Sequence, residues 1–183
     1  GQLIILSGPS GVGKGTVRRE LFKDKDLNLA YSISMTTRPP RNSEVDGIDY
    51  FFVSKEDFLD AIANDQLLEY AVFVDNYYGT PAAYVNRLLD EGKNVVLEIE
   101  VEGAKQVMVK CKDAISIFLV PPSLAALEQR IRNRQSESEE VIQLRLKKAQ
   151  EEIKLKDKYE HVIVNDDVMI AKEEITNIIK KHL

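Results

Sequence analysis

The stretch GPSGVGKGT, residues Gly8 to Thr16, directly follows the apolar run QLIIL. Gly8, Gly11 and Gly13 therefore fall between a predicted strand and a predicted helix. Glycines let a loop curl until several backbone N–H groups point inward as an anion nest. The helix that follows adds the positive end of its dipole. Lys14 supplies a point charge that reaches the β and γ phosphates of a nucleotide. A Gly-rich turn without a ligand has no need of three glycines and a lysine in this order. Gly8, Ser10, Gly11, Val12, Gly13, Lys14, Gly15 and Thr16 thus read as a nucleotide-phosphate loop. Many such loops carry Ser or Thr directly after the lysine, as a Mg²⁺ ligand. Here that position is Gly15, and the nearest hydroxyl is Thr16.

Outward from the loop, four short apolar runs read as buried strands: LIIL, NVVLEI, AISIFLV and HVIV. They are rich in Val and Ile and lack polar alternation, the pattern of strands covered on both faces. Helical stretches separate them. Ser54 with Asp57 opens SKEDFLDAIAND as a capping box, with Phe58, Leu59 and Ile62 at helical spacing. Ser123 starts LAALEQRIRNR, and Ser136 with Glu139 is expected to cap a longer helix through Leu155. Strands alternating with helices predict an α/β fold with a mainly parallel sheet. Two segments break the rhythm. Tyr31 to Thr80 holds three strand-like runs, YSISM, DYFFV and LLEYAVFV, around one helix, which predicts a small mixed or antiparallel insert. The stretch from about Ala125 to Lys158 is polar and helical and carries Arg130, Arg132, Arg134 and Arg145. It reads either as a solvated arm or as an arginine-bearing lid.

The 183 residues suffice for one globular domain with a sizeable core. Hydrophobic residues make up 44% and charged residues 30%, which excludes a disordered chain. A net charge of −5 argues against a nucleic-acid binder, so any bound anion must be held by local positive groups. No apolar run reaches membrane-spanning length, which argues against a membrane partner. GQLIILSG is too short for a secretory signal. The chain opens on Gly rather than Met, and the natural first residue is expected to lie upstream. A single cysteine, Cys111, suits a reducing cytoplasm and reads as a small half-buried hydrophobe.

A second anion site is suggested by SISMTTRPPR. Pro39 and Pro40 stiffen the segment and fix the separation of Arg38 and Arg41. Tyr50 and Tyr78 add phenol donors, so the four side chains are suited to caging a phosphate monoester. Taken alone, RPPR would read as a solvated basic loop.

In company it does not. The segments GPSGVGKGT, SISMTTRPPRNSEVDGIDYFFVS, LLEYAVFVDNYYGT, NVVLEIEVEGAKQV, IFLVPPS, RIRNRQSESEEVIQLRL and HVIVNDD, in this order and spacing, resemble the guanylate kinase family along nearly the whole chain. The resemblance implies a P-loop kinase core over residues 1–32, 84–124 and 159–183, a GMP-binding insert over 33–83 and a helical lid over 125–158. It implies transfer of phosphate from ATP to GMP, and to dGMP, with Mg²⁺ accompanying ATP. The GKGT loop is similar to that of adenylate kinases, which implies Mg²⁺ held by phosphates and water, with Thr16 and Glu98 as outer contacts.

Carried over by resemblance, Arg38, Arg41, Tyr50 and Tyr78 hold the GMP phosphate, and Ser34, Glu69, Gly79 and Thr80 surround guanine. The chemistry agrees. Guanine offers N1–H and a 2-amino group to a carboxylate and accepts a hydroxyl hydrogen at O6. Adenine has an acceptor at N1 and would leave a buried carboxylate unpaired. The family pattern Asp-x-Asp is here Glu98 and Glu100. Glu98 is expected near a Mg²⁺-bound water, and Glu100 at the GMP ribose or base edge. Asn165 is expected near the adenine of ATP, and Arg130, Arg134 and Arg145 over the transferring phosphate. Two rivals stand beside this reading. One is a related kinase with another acceptor, such as AMP or a phosphorylated sugar. The other is a peptide-binding scaffold domain that has lost catalysis, against which the intact loop speaks. The sequence is compatible with a monomer or a homo-oligomer.

Overall fold

The computed structural model describes residues 1–133 and 137–183. Five parallel strands form the central sheet: β1 (Leu3–Ser7), β2 (Leu29–Tyr31), β7 (Asn94–Glu98), β8 (Ile115–Val120) and β9 (His161–Val164), in the spatial order β2-β7-β1-β8-β9. Alternate residues of β1 explain why Leu3 to Leu6 are all apolar. Ile4 and Leu6 pack on one side with Val17 and Leu21 of α1 (Lys14–Leu21) and Ile175 and Ile179 of α7 (Val168–Lys181). Leu3 and Ile5 pack on the other with Val85 of α3 (Ala82–Asp90) and Val107 of α4 (Val101–Lys110). A strand covered on both faces favours apolar side chains throughout, and only Ser7, where β1 runs into the loop, is polar.

A second sheet has the order β4-β3-β6-β5, built from β3 (Met35–Thr36), β4 (Phe51–Phe52), β5 (Leu67–Phe73) and β6 (Asn76–Pro81). Strands β3 and β4 run parallel and the other neighbours antiparallel, so the sheet is mixed as expected. The run YSISM does not form one strand. Tyr31 belongs to β2 and pairs with Val96 in the central sheet, whereas only Met35 and Thr36 enter the second sheet. Strand β6, unforeseen in the sequence, is the hairpin partner of β5. Its two-residue turn puts Val74 and Asp75 at φ 48° and 64°.

Helix α2 (Lys55–Ala63) starts as predicted, with the Asp57 N–H donating to Ser54 Oγ at 3.1 Å. Its buried stripe is Phe58 and Ala61, while Leu59 points outward at 42% exposure. The smaller residue three positions on from Phe58 faces the core, and the larger one at the adjacent position cannot. Helix α5 (Leu124–Asn133) is capped by Ser123, whose Oγ accepts from the Ala126 N–H at 3.0 Å. Helix α6 (Glu139–Ile153) is capped by Ser138, not Ser136. Ser138 accepts from the Val141 N–H at 3.3 Å, which sets the helix start two residues later; Ser136 lies outside the described residues. Helices α5 and α6 enclose a small core of Leu127, Ile131, Ile142, Leu146 and Ala149.

The two sheets are joined across α4 and β5. Gln106 of α4 accepts from the Tyr70 N–H at 3.1 Å and donates to the Tyr70 carbonyl at 3.0 Å. Lys110, one turn on, donates to the Leu67 carbonyl at 2.8 Å. These contacts fix the insert against the core. Among the described residues, no helix is long and apolar enough to cross a membrane.

Candidate active site

The carboxyl ends of parallel strands are where an open α/β sheet receives ligands. Here β1 runs out into the glycine loop, β7 ends at Glu98, and β9 leads into Asn165. Gly13 holds the left-handed conformation at φ 95° that turns the loop into α1. A β-carbon there would lie 2.8 Å from Asn165 Nδ2. The loop is pinned from behind: Asn165 Nδ2 donates to the Val12 carbonyl at 2.7 Å, and Val12 is fully buried. Lys14 folds along the loop and donates to the Gly8 carbonyl at 2.9 Å. A cavity of about 340 Å³ opens beside it, lined by Gly11, Val12, Gly13, Thr16, Arg130, Asn133, Asn165 and Val168. The cavity brings Gly11, Val12, Gly13 and Thr16 together with Asn165, while Lys14 meets Gly8 within the loop. Asn133 and Val168 were not foreseen.

Arginines of α5 and α6 meet this loop. Arg130 donates to the carbonyls of Val12 at 3.3 Å and Asn165 at 2.8 Å. Arg145 donates to Ser10 Oγ at 2.9 Å and also pairs with Glu137. Arg134 lies outside the described residues.

Arg38, Tyr50 and Tyr78 come together beside the second sheet. Arg38 places its guanidinium 5.3 Å from the Tyr50 ring centre, and the Tyr50 and Tyr78 rings lie 6.2 Å apart. Glu44 holds Arg38 by a two-pronged pair, Nη1 to Oε1 and Nη2 to Oε2, both 2.9 Å. The Arg41 N–H donates to the same Oε1 at 2.8 Å. Glu44 is therefore the organiser of this corner, and the pairing lowers its pKa from 4.5 to about 2. The Arg41 side chain is exposed.

Glu69 and Thr80 face each other across the β5–β6 pair. They are only 8% and 1% exposed, and Thr80 Oγ1 donates to Glu69 Oε1 at 2.8 Å. Burial pushes the Glu69 carboxyl above its usual range, and the Thr80 hydrogen bond pulls it back. Ser34 sits at the start of this sheet, where its carbonyl accepts from the Phe51 N–H at 2.8 Å. Gly79 is wedged beside Glu69: a β-carbon on it would lie 2.9 Å from the Glu69 carbonyl. The glycine loop thus stands on the central sheet, and the paired Arg38 and the buried Glu69 carboxylate stand on the second.

A family model described as Guanylate kinase matches residues 1–182. The chain belongs to the guanylate kinase family. A guanylate kinase of Mycoplasma capricolum is 57% identical over 179 residues, covering 98% of this chain and 60% of the relative, so the chain spans about three fifths of that protein's length. One from Latilactobacillus sakei is 53% identical over 184 residues, covering 100% of this chain and 91% of the relative. The crystal structure of guanylate kinase from Anaplasma phagocytophilum has a TM-score of 0.75 at 33% identity, covering 100% of this chain and 86% of that one.

Among the described residues, no cluster of three or more His, Cys, Asp or Glu could hold a metal by itself. Thr16 and Glu98, the oxygen donors the sequence reading offers for Mg²⁺, both stand at the loop. Glu98, in register with Leu6 of β1, lies beside the loop, and its Oε2 is 3.7 Å from where a Gly15 β-carbon would stand. Its Oε1 accepts from Arg18 Nε at 2.7 Å. Thr16 Oγ1 accepts from Arg19 at 3.3 Å. Glu100 is the residue before α4, and its side chain makes no capping bond. In this guanylate kinase fold the sequence reading passed over Glu44, Arg18 and Gln106. Glu44 carried a faint signal, an acid three residues after Arg41 in a turn. Arg18 and Gln106 carried none, because their partners lie 80 and 36 residues away.

Proposed function

We propose that the chain transfers the γ-phosphoryl group of ATP to GMP, and to dGMP, giving ADP and the guanosine diphosphate. The observation that carries this reading is the buried Glu69 carboxylate, oriented by Thr80 at 2.8 Å on the sheet whose strand β3 leads toward Arg38. Guanine N1–H and its 2-amino group are the donors such a carboxylate needs. Because the Thr80 hydrogen is given to Glu69, Thr80 aligns the acid, and the Ser34 hydroxyl is the group left to donate to O6. Arg38, Arg41, Tyr50 and Tyr78 hold the acceptor phosphate.

The attacking oxygen of GMP is already anionic at neutral pH, so no general base is needed. His161 and His182 lie in β9 and beyond α7, away from the loop. The task is to bring two polyanions together and stabilise the phosphoryl group between them. The loop N–H groups and Lys14 hold the ATP phosphates. The 340 Å³ cavity takes the nucleoside, where the buried, unpartnered Asn165 Oδ1 can accept from the adenine amino group. Arg130 and Arg145 already touch the loop and add positive charge, and lid contact excludes water that would waste ATP. Thr16 and Glu98 would hold Mg²⁺ through water; when bound it neutralises charge on the β and γ phosphates.

The test is an acceptor panel with ATP and Mg²⁺: GMP, dGMP, AMP, CMP and UMP. GMP should exceed AMP in kcat/KM by about a hundredfold or more. Comparable values for the two would refute the assignment.

A further inference from the structure

Helix α4 starts directly behind the buried carboxylate. Its first turn contains Gly103, a poor helix former at a position where most residues would serve better. The reason is space. A β-carbon built on Gly103 would lie 2.8 Å from Glu69 Oε2, 3.1 Å from its Cδ and 3.4 Å from its Cγ. The carboxylate thus lies flat on the helix turn, in the volume a side chain would fill. Its other oxygen is held by Thr80 at 2.8 Å. The main chain of Glu69 is hemmed in on a different side by Gly79, whose β-carbon would meet the Glu69 carbonyl at 2.9 Å.

Neither element is free to give way. Gln106 grips both main-chain groups of Tyr70, the residue after Glu69, at 3.1 and 3.0 Å. Lys110 grips the Leu67 carbonyl at 2.8 Å. With helix and strand tied on both sides of Glu69, an added methyl group displaces the carboxylate rather than the backbone.

We propose that Gly103 is a specificity-determining residue for the acceptor base: by lacking a side chain it sets where the Glu69 carboxylate stands. The proposal rests on the reading of Glu69 as the guanine reader. It concerns a residue that touches no nucleotide in that reading, so its effect passes through Glu69 alone.

The experiment is a two-residue cycle of Gly103→Ala and Glu69→Ala, with KM for GMP, KM for ATP and melting temperature measured for each protein. Gly103→Ala should raise KM for GMP about tenfold or more and lower the preference for GMP over AMP, leaving KM for ATP within about twofold. In the Glu69→Ala background, Gly103→Ala should add nothing to the GMP defect. Should Gly103→Ala alone melt low, the same clash requires Glu69→Ala to restore the melting temperature. An unchanged KM for GMP in Gly103→Ala, additive defects, or a double variant that melts as low as the single one would each overturn the proposal. If Glu69→Ala itself leaves KM for GMP unchanged, the base reading fails first and the role of Gly103 goes with it.

Discussion

Thr80→Val is nearly isosteric and removes one atom's function, the hydroxyl that donates to Glu69 Oε1 at 2.8 Å. Thr80 is 1% exposed, so no water replaces the lost donor. A hydrogen bond to a charged group contributes about 1.5–3 kcal/mol, so kcat/KM for GMP should fall by up to roughly 10- to 150-fold. A pH signature accompanies the loss. Burial already raises the Glu69 carboxyl, and the Thr80 bond opposes that rise by favouring the ionised form. Without it the carboxyl rises further, and a protonated Glu69 no longer accepts two guanine donors. The acid limb of kcat/KM for GMP should therefore move to higher pH in Thr80→Val. The ATP profile should stay in place, and Thr80→Ser should behave as the parent. Coupled steady-state assays across the acid limb read all of this. An unmoved acid limb, or equal losses for ATP and GMP, would refute the reasoning.

Two further outcomes can be checked on the same protein. Val74 is a β-branched residue at φ 48° and 72% exposed, so Val74→Asn relieves backbone strain and loses no packing; it should raise the melting temperature by about 2–4 °C, for about 1 kcal/mol, in a thermal melt. The Arg38–Glu44 pair holds the Glu44 carboxyl down from 4.5 to about 2, so its stabilisation is complete above 4.5 and is lost as pH falls toward 2. The difference in denaturation midpoint between the parent and Glu44→Gln should be constant above that range and shrink within it; a difference independent of pH contradicts the pairing.

Much of this was legible in the chain. The loop from Gly8 to Thr16 announces itself because phosphate binding needs a fixed order of small residues. The caps Ser54 and Ser123 are local bonds between residues three apart. What stayed hidden depends on contacts distant in sequence. The switch from the central sheet to the insert, between Tyr31 and Met35, has no Gly or Pro to mark it. Ser136 and Ser138 both precede acids at helix-start spacing, and only the fold decides between them. Gly103 is an unremarkable helical glycine until the fold lays Glu69 against it from 34 positions away, a contact that no local pattern encodes.

The grip of Gln106 on Tyr70 has a consequence for the protein in a crowd. Strand β5 is an outer strand of its sheet, and Tyr70 turns its N–H and carbonyl away from β6. An open strand edge is a template on which another chain can pair. The Gln106 amide occupies that donor and acceptor as a neighbouring strand would. Farther along β5, Val72 and Phe73 are 58% and 69% exposed, apolar enough to favour such pairing once it begins. One side-chain amide thus occupies the backbone groups on which a ladder between copies would start.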